Sequence, residues 1–147
     1  MNDLFNLKRF LRAQEDIYLQ ALGEIQNGKK LTHWMWFIFP QIIGLGHSDK
    51  SLFYGIKNSE EAKLYLEHPI LGSRLIEITN ALLELNEKRI SDIFGRPDDL
   101  KLKSCMTLFS LIDKNENSSF KLVLKKYFFN DKDIRTLQLL SKINKPG

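Results

Sequence analysis

The sequence predicts an all-α fold: a single domain of about seven helices, mostly short, with no substantial sheet. Three observations carry that expectation. Apolar residues recur at spacings of three and four along most of the chain, the period of a helix face. Residue types that start and stop helices stand at the ends of those stretches. One apolar run without period, Trp34–Phe39, is short enough for a buried strand, yet no second run offers it a partner, so a buried helical turn is the better reading.

The first stretch, Asp3 to about Asn27, is expected to be helical. Phe10, Gln14, Ile17, Ala21 and Ile25 form its inner stripe, and Asn27–Gly28 is the stop. Thr32 is the expected cap of a short helix over His33–Phe39, which Pro40 ends. Gly44 and Gly46 mark a tight loop, after which Ser48 is placed to cap a helix from Lys50 to about Ile56. Ser59-Glu-Glu-Ala begins another, with its acids in the first turn, running to Glu67 before His68–Pro69. Pro69 starts a longer helix to about Leu85, whose inner face is Leu71, Leu75, Ile78, Leu82 and Leu85. Ser91-Asp-Ile-Phe-Gly-Arg-Pro is one capped turn and a break. Asp98 then opens a helix burying Leu102, Cys105, Met106, Phe109 and Ile112. Two more amphipathic helices are expected near Ser119–Phe128 and Lys132–Leu140, and the tail Ser141–Gly147 is expected to fray, leaving an ordered core of about residues 3–140.

Composition limits the function classes. The 147 residues fit one ordinary domain, and 43% hydrophobic with 27% charged residues is the balance of a folded chain. The formal charge of +4 is a modest excess, with both signs interspersed. The densest basic group, Lys121, Lys125 and Lys126, reads as a solvated helix face, so nucleic acid is not an expected partner. One cysteine, Cys105, cannot form an internal disulfide. His33, His47 and His68 are widely separated, so no metal or other cofactor is expected. The acidic N-terminal segment lacks the pattern of a signal peptide, and Trp34–Phe39 is far too short to span a bilayer. These features predict a soluble, cytoplasmic protein with no membrane partner.

Several motifs are specific enough to carry a resemblance: His33-Trp-Met-Trp-Phe-Ile-Phe-Pro-Gln, then Gly44-Leu-Gly, Tyr65-Leu, His68-Pro-Ile-Leu-Gly, Arg74-Leu and Ile93-Phe-Gly, and Asp98-Asp-Leu-Lys-Leu-Lys-Ser-Cys-Met-Thr-Leu-Phe. With Phe10, Ala13-Gln and Tyr18 they extend from about residue 3 to 140. In these motifs the chain resembles the bacterial proteins grouped as domain of unknown function 1810, sometimes labelled calpastatin-like. The resemblance implies a single all-α domain and supplies no activity. A remote similarity of that family to the NADAR group, which handles ADP-ribose and NAD-derived compounds, is anchored in no motif here and serves as a hypothesis about ligand class.

The candidate site residues fall in three places. Trp34, Trp36, His33 and Gln41 lie within nine residues: indoles stack planar ligands while histidine and amide fix their orientation, although large aromatics more often simply fill cores. Asp98, Lys101 and Ser104 share one helix; Lys101 and Ser104 are neighbours on it and suit a phosphate or polar ligand, with Asp98 as cap and snorkelling Lys101 as the plainer account. Cys105 beside them is expected to be an inert core thiol rather than a nucleophile. Gln14 is an amide on an apolar stripe and needs partners. Arg74, in the first turn of the long helix, gains nothing from the dipole, so an anion is its expected partner.

Two functions compete. The first is a site for a small nucleotide-like or ADP-ribose-like molecule between Trp34–Gln41 and the Asp98–Cys105 helix, with Gln14 beside them; the sequence does not decide whether chemistry follows binding. The second is a non-enzymatic protein-interaction module docking on exposed aromatics, for which Phe5, Phe53 and Phe129 are the candidates.

Overall fold

A computed structural model of the protein describes residues 3–144. Among them are ten helices: α1 (Lys8–Gln14), α2 (Tyr18–Gln26), α3 (Met35–Ile38), α4 (Asp49–Tyr54), α5 (Ser59–Glu67), α6 (Leu71–Glu84), α7 (Ile90–Phe94), α8 (Asp98–Ile112), α9 (Ser119–Phe128) and α10 (Ile134–Ile143). The all-helical class stands, but the count corrects the expected seven. The first stretch is two helices rather than one, and the expected turn at Ser91 is the short helix α7.

The first correction is at Glu15–Ile17, where the stretch Asp3–Asn27 breaks in two. The Ile17 N–H takes the Gln14 carbonyl at 3.1 Å, a three-residue bond that tightens the ladder and resets the helix face. Tyr18 rather than Ile17 is consequently the buried side chain, alongside Ala21 and Ile25. The stop at Gly28 is as expected: Gly28 takes a φ of 82°, and Gly28 and Lys29 donate back to Ile25 and Glu24.

The second correction concerns Thr32, which caps nothing. Its hydroxyl and backbone N–H both donate to the Glu24 carboxylate, and the helix beyond starts at Met35. The third is at α4, capped by Ser48 as the sequence suggested but ending at Tyr54. Gly55–Ile56 is extended because Ile56 pairs with the Gln41–Ile43 segment in one isolated parallel bridge, with N···O distances of 2.8 and 2.9 Å. The helix α5 begins at Ser59 as expected, capped by Asn58. At the next junction the His68 imidazole accepts from the N–H groups of Ile70 and Leu71, which explains why the helix opens there.

Asp98 likewise does not cap α8: Pro97 occupies that position, and the Asp98 carboxylate turns to lysines instead. Asp133 caps α10 through the Thr136 N–H. Of the tail expected to fray, Ser141–Ile143 form the last turn of that helix and the Asn144 amide donates to Ser59 Oγ at 2.7 Å; Lys145–Gly147 lie outside the described residues.

The core is built around α8, which buries Leu102, Cys105, Met106, Leu108 and Phe109 and packs against α5, α7, α9 and α10. The long helix α6 packs on α2, α5 and α9, while the single turn α3 sits between α1 and α4. A buried ion pair ties α1 to α5. Arg9 meets Glu61 at 2.7 Å and donates its remaining N–H groups to the carbonyls of Phe5, Asn6, Phe53 and Gly55. Of the aromatics expected outside the core, Phe5 packs half-buried against it, Phe53 is exposed and Phe129 is almost fully exposed.

Candidate functional site

Between α3 with its preceding loop and the first turn of α8 lies a cleft of about 210 Å³. Its walls come from Trp34, Trp36 and Phe37 on one side and Asp98 and Lys101 on the other, with Lys30, His33 and Lys50 at its edges. Five of the residues singled out in the sequence therefore converge: His33, Trp34, Trp36, Asp98 and Lys101.

The arrangement starts from one buried carboxylate. Glu24, near the end of α2, accepts from the Leu31 and Thr32 N–H groups, the Thr32 hydroxyl, the Gln20 amide and the Trp34 indole N–H, the last at 2.9 Å. Burial by itself would raise its pKa, but the donors from Thr32, Leu31 and Trp34 outweigh that and hold it down to about 2. The loop 29–34 is thus moulded around an anion, which fixes where Lys30 and His33 emerge. Trp34 is buried in the process, edge-on to Phe94 and tilted against Phe39, so it serves as a wall rather than an open stacking surface.

Trp36 differs. It is half-buried, and the Lys101 ammonium lies 4.0 Å above its ring centroid. Lys101 reaches that place because α8 begins at Asp98, one turn earlier, and the pair meets at 3.3 Å. The other Asp98 oxygen holds Lys30 at 2.9 Å; Lys30 also donates to the Thr32 carbonyl at 2.6 Å and lies 4.9 Å from the Trp34 ring. Lys30, Lys50 and Lys101 line the cleft with a single acidic residue, Asp98, giving a surplus of positive charge beside an aromatic face.

The remaining sequence candidates are elsewhere. Gln14 and Arg74 pair with each other behind α3. Gln14 Nε2 donates to the Phe37 carbonyl at 2.7 Å and the Tyr65 hydroxyl at 3.0 Å, and its Oε1 accepts from Arg74 at 3.3 Å. The partners of Arg74 are therefore this amide and the Tyr18 ring, 5.2 Å away, rather than the expected anion. Gln14 supports the cleft from behind, since Phe37 is one of its walls. Ser104 turns away: it bridges the Leu100 carbonyl and Asp133, fixing α10 on α8. Cys105 is fully buried, and burial pushes its thiol well above the ordinary range, which makes it the core residue expected. Gln41 lies behind Trp36, lining a much smaller cavity of about 10 Å³.

Sequence reasoning missed Lys30, Lys50 and Glu24. Lys30 and Lys50 sit in polar surroundings like those of other surface lysines, so nothing local marks them. Glu24 carried a usable signal: it is an acid directly beside the stripe residue Ile25 and three positions after Ala21, where a carboxylate needs donors to be buried.

Fold and cleft together define a class: a small all-helical domain presenting a lysine-rimmed aromatic cleft. The chain belongs to the DUF1810 family, described as proteins of unknown function, whose model matches residues 4–140. It is similar along its length to the conserved hypothetical protein Rv1873 from Mycobacterium tuberculosis, whose crystal structure has 46% sequence identity and a TM-score of 0.92 over 95% of this chain and 99% of that one. No curated protein matches it. Among the described residues no helix is long and apolar enough to cross a membrane.

Proposed function

We propose that the cleft between α3 and α8 binds a small anionic, nucleotide-like molecule. The observation that carries this reading is Lys101 lying 4.0 Å over the half-buried Trp36 ring, with Lys30 and Lys50 in the same cleft. Ammonium groups clustered beside a planar aromatic surface suit a ligand with a phosphate at one end and a ring at the other. The cleft is smaller than the ~300–1,000 Å³ of sites that enclose drug-sized ligands, so it suits a single phosphate with its ribose or base. An ADP-ribose-like compound would extend beyond it. His33 at the rim offers a hydrogen-bonding group to such a ligand; binding, without a committed reaction, is the proposal.

A thermal-shift screen against nucleoside monophosphates, NAD, ADP-ribose, sugar phosphates and inorganic phosphate tests it. A ligand at a hundred times its Kd adds about 2.7 kcal/mol to stability, a rise of several degrees for a domain of this size. The expected shift is confined to phosphate-bearing compounds and is lost in Lys101→Ala. A screen in which none of these compounds moves the transition would remove the reading.

One observation favours the alternative, a protein-interaction module. A groove of about 510 Å³ between the N-terminal segment and α5 is lined by Leu4, Phe5, Leu7, Leu11 and Leu64, with Leu4 71% exposed. A partner that docks there would leave the lysine cleft untouched, so Lys101→Ala would not affect its capture while Leu4→Asp would.

A further inference from the structure

Trp36 lines two spaces at once: the lysine cleft on one side and, on the other, the small cavity that also touches Gln41, Ser51 and Tyr54. Gln41 is 8% exposed, and among the described residues its Nε2 has no hydrogen-bond partner. A buried amide N–H without an acceptor is costly, and native folds rarely keep one without a use. The other polar groups around it are differently placed: Ser51 already donates to the Ser48 carbonyl, and the Gln41 carbonyl accepts from Ile56. The unpartnered donor therefore belongs to the side chain alone, and it lines the small cavity behind Trp36, a half-buried ring of the cleft.

We propose that Gln41 is the floor of an inner subsite that reads a nucleobase, with Trp36 as its movable wall. The inference rests on the cleft being an anion site as argued above. The cavity of about 10 Å³ admits no more than one water-sized probe, so a base reaches Gln41 only when the indole gives way. Trp36 is suited to do so and Trp34 is not. Trp34 is 1% exposed and hydrogen-bonded to Glu24, whereas Trp36 is half-buried and its face is covered by a lysine side chain. A phosphate in the cleft draws the Lys101 ammonium off the ring, which releases the wall, and the displaced indole stacks on the incoming base. The amide then meets a ring nitrogen or carbonyl of that base, as glutamine does in reading adenine edges. The ligand class is accordingly a nucleoside 5′-monophosphate rather than a sugar phosphate.

The test compares ribose 5-phosphate with the four nucleoside 5′-monophosphates by calorimetric titration, in the wild type and in Gln41→Met. The proposal expects at least one monophosphate to bind about tenfold or more tightly than ribose 5-phosphate. That is the factor that one hydrogen bond with a stacking contact supplies. Gln41→Met is expected to erase this advantage while leaving ribose 5-phosphate binding in place. The variant is also expected to be no less stable than the wild type, because it removes an unpaired polar group with little change of shape. A second readout needs no variant: in the wild type, the side-chain amide proton signals of Gln41 are expected to move with the monophosphate and not with ribose 5-phosphate. Equal affinities for the two ligand types, or a base advantage that survives Gln41→Met with the Gln41 amide signals unmoved, would overturn the inner subsite and leave the anion cleft standing. Binding of neither ligand would overturn both.

Discussion

The Glu24 carboxylate accepts the indole N–H of Trp34 at 2.9 Å, joining the end of α2 to the loop that enters the cleft. The same oxygens hold the backbone of Leu31 and Thr32, so a single buried anion shapes the irregular stretch from which Lys30 and His33 project. Glu24→Ala would leave several buried donors unmatched. The expected cost is about 3 kcal/mol, measured by denaturant unfolding, with Trp34 fluorescence shifting red as the indole meets water. A change below about 0.5 kcal/mol would contradict this role.

The same residue gives the fold a pH signature. Its folded pKa, near 2, lies below the ordinary glutamate value of about 4.5. The stabilisation is therefore fully present above that ordinary value and is lost as pH falls from about 4.5 towards 2, as protons bind the unfolded chain more readily. The expected contribution approaches about 3 kcal/mol. Unfolding free energies measured from pH 6 to pH 2 should fall more steeply in the wild type than in Glu24→Gln; parallel curves would show that other carboxylates carry the acid sensitivity.

Arg9 and Glu61 make the corresponding tie between α1 and α5, with both side chains almost wholly buried. Removing one charge leaves the other buried alone, which costs about 3–5 kcal/mol. Glu61→Ala and Arg9→Ala should each lower the melting temperature by ten degrees or more, and the double variant should cost less than the sum of the two, the mark of a coupled pair.

Much of this architecture is legible in the sequence, and the parts that are not have physical reasons. The ends of α5, α6, α8 and α9 follow from caps, acids and prolines that act locally. The break between α1 and α2 is not marked by a glycine or proline; it follows from the register in which Phe10, Gln14 and Tyr18 meet the other helices. The Trp34–Gln41 motif points to the cleft because its aromatics are dense enough to notice, whereas Lys30 and Lys50 join it only through the fold. Gln14 is legible as an amide on an apolar stripe that needs partners, and it finds them in the Phe37 carbonyl, Tyr65 and Arg74 rather than in the cleft.

Gly72 illustrates a constraint that propensity alone misreads. Alanine in the first turn of α6 would favour the helix by up to about 1 kcal/mol. A Cβ there, however, would stand 1.9 Å from the Leu66 carbonyl oxygen, so α5 and α6 could not keep their contact. The clash decides the sign: Gly72→Ala is expected to destabilise by about 3 kcal/mol, read from the denaturation midpoint. A neutral or stabilised variant would mean that the two helices separate without cost.

Asp98 neutralises part of the charge that the cleft would offer to an anion, by holding Lys30 at 2.9 Å and Lys101 at 3.3 Å. Asp98→Asn should tighten phosphate-ligand binding severalfold at low salt, with the gain shrinking as salt rises. If Asp98 instead acted mainly to position the lysines, the same variant would weaken binding at every salt concentration.

The most direct test of the anion cleft is calorimetric titration of adenosine 5′-monophosphate against adenosine, in the wild type and in Lys101→Ala. The account predicts that the monophosphate binds the wild type, that adenosine binds at least tenfold more weakly, and that the lysine variant loses most of this difference while remaining folded. Equal binding of the two compounds, or full retention of monophosphate affinity without Lys101, would contradict it.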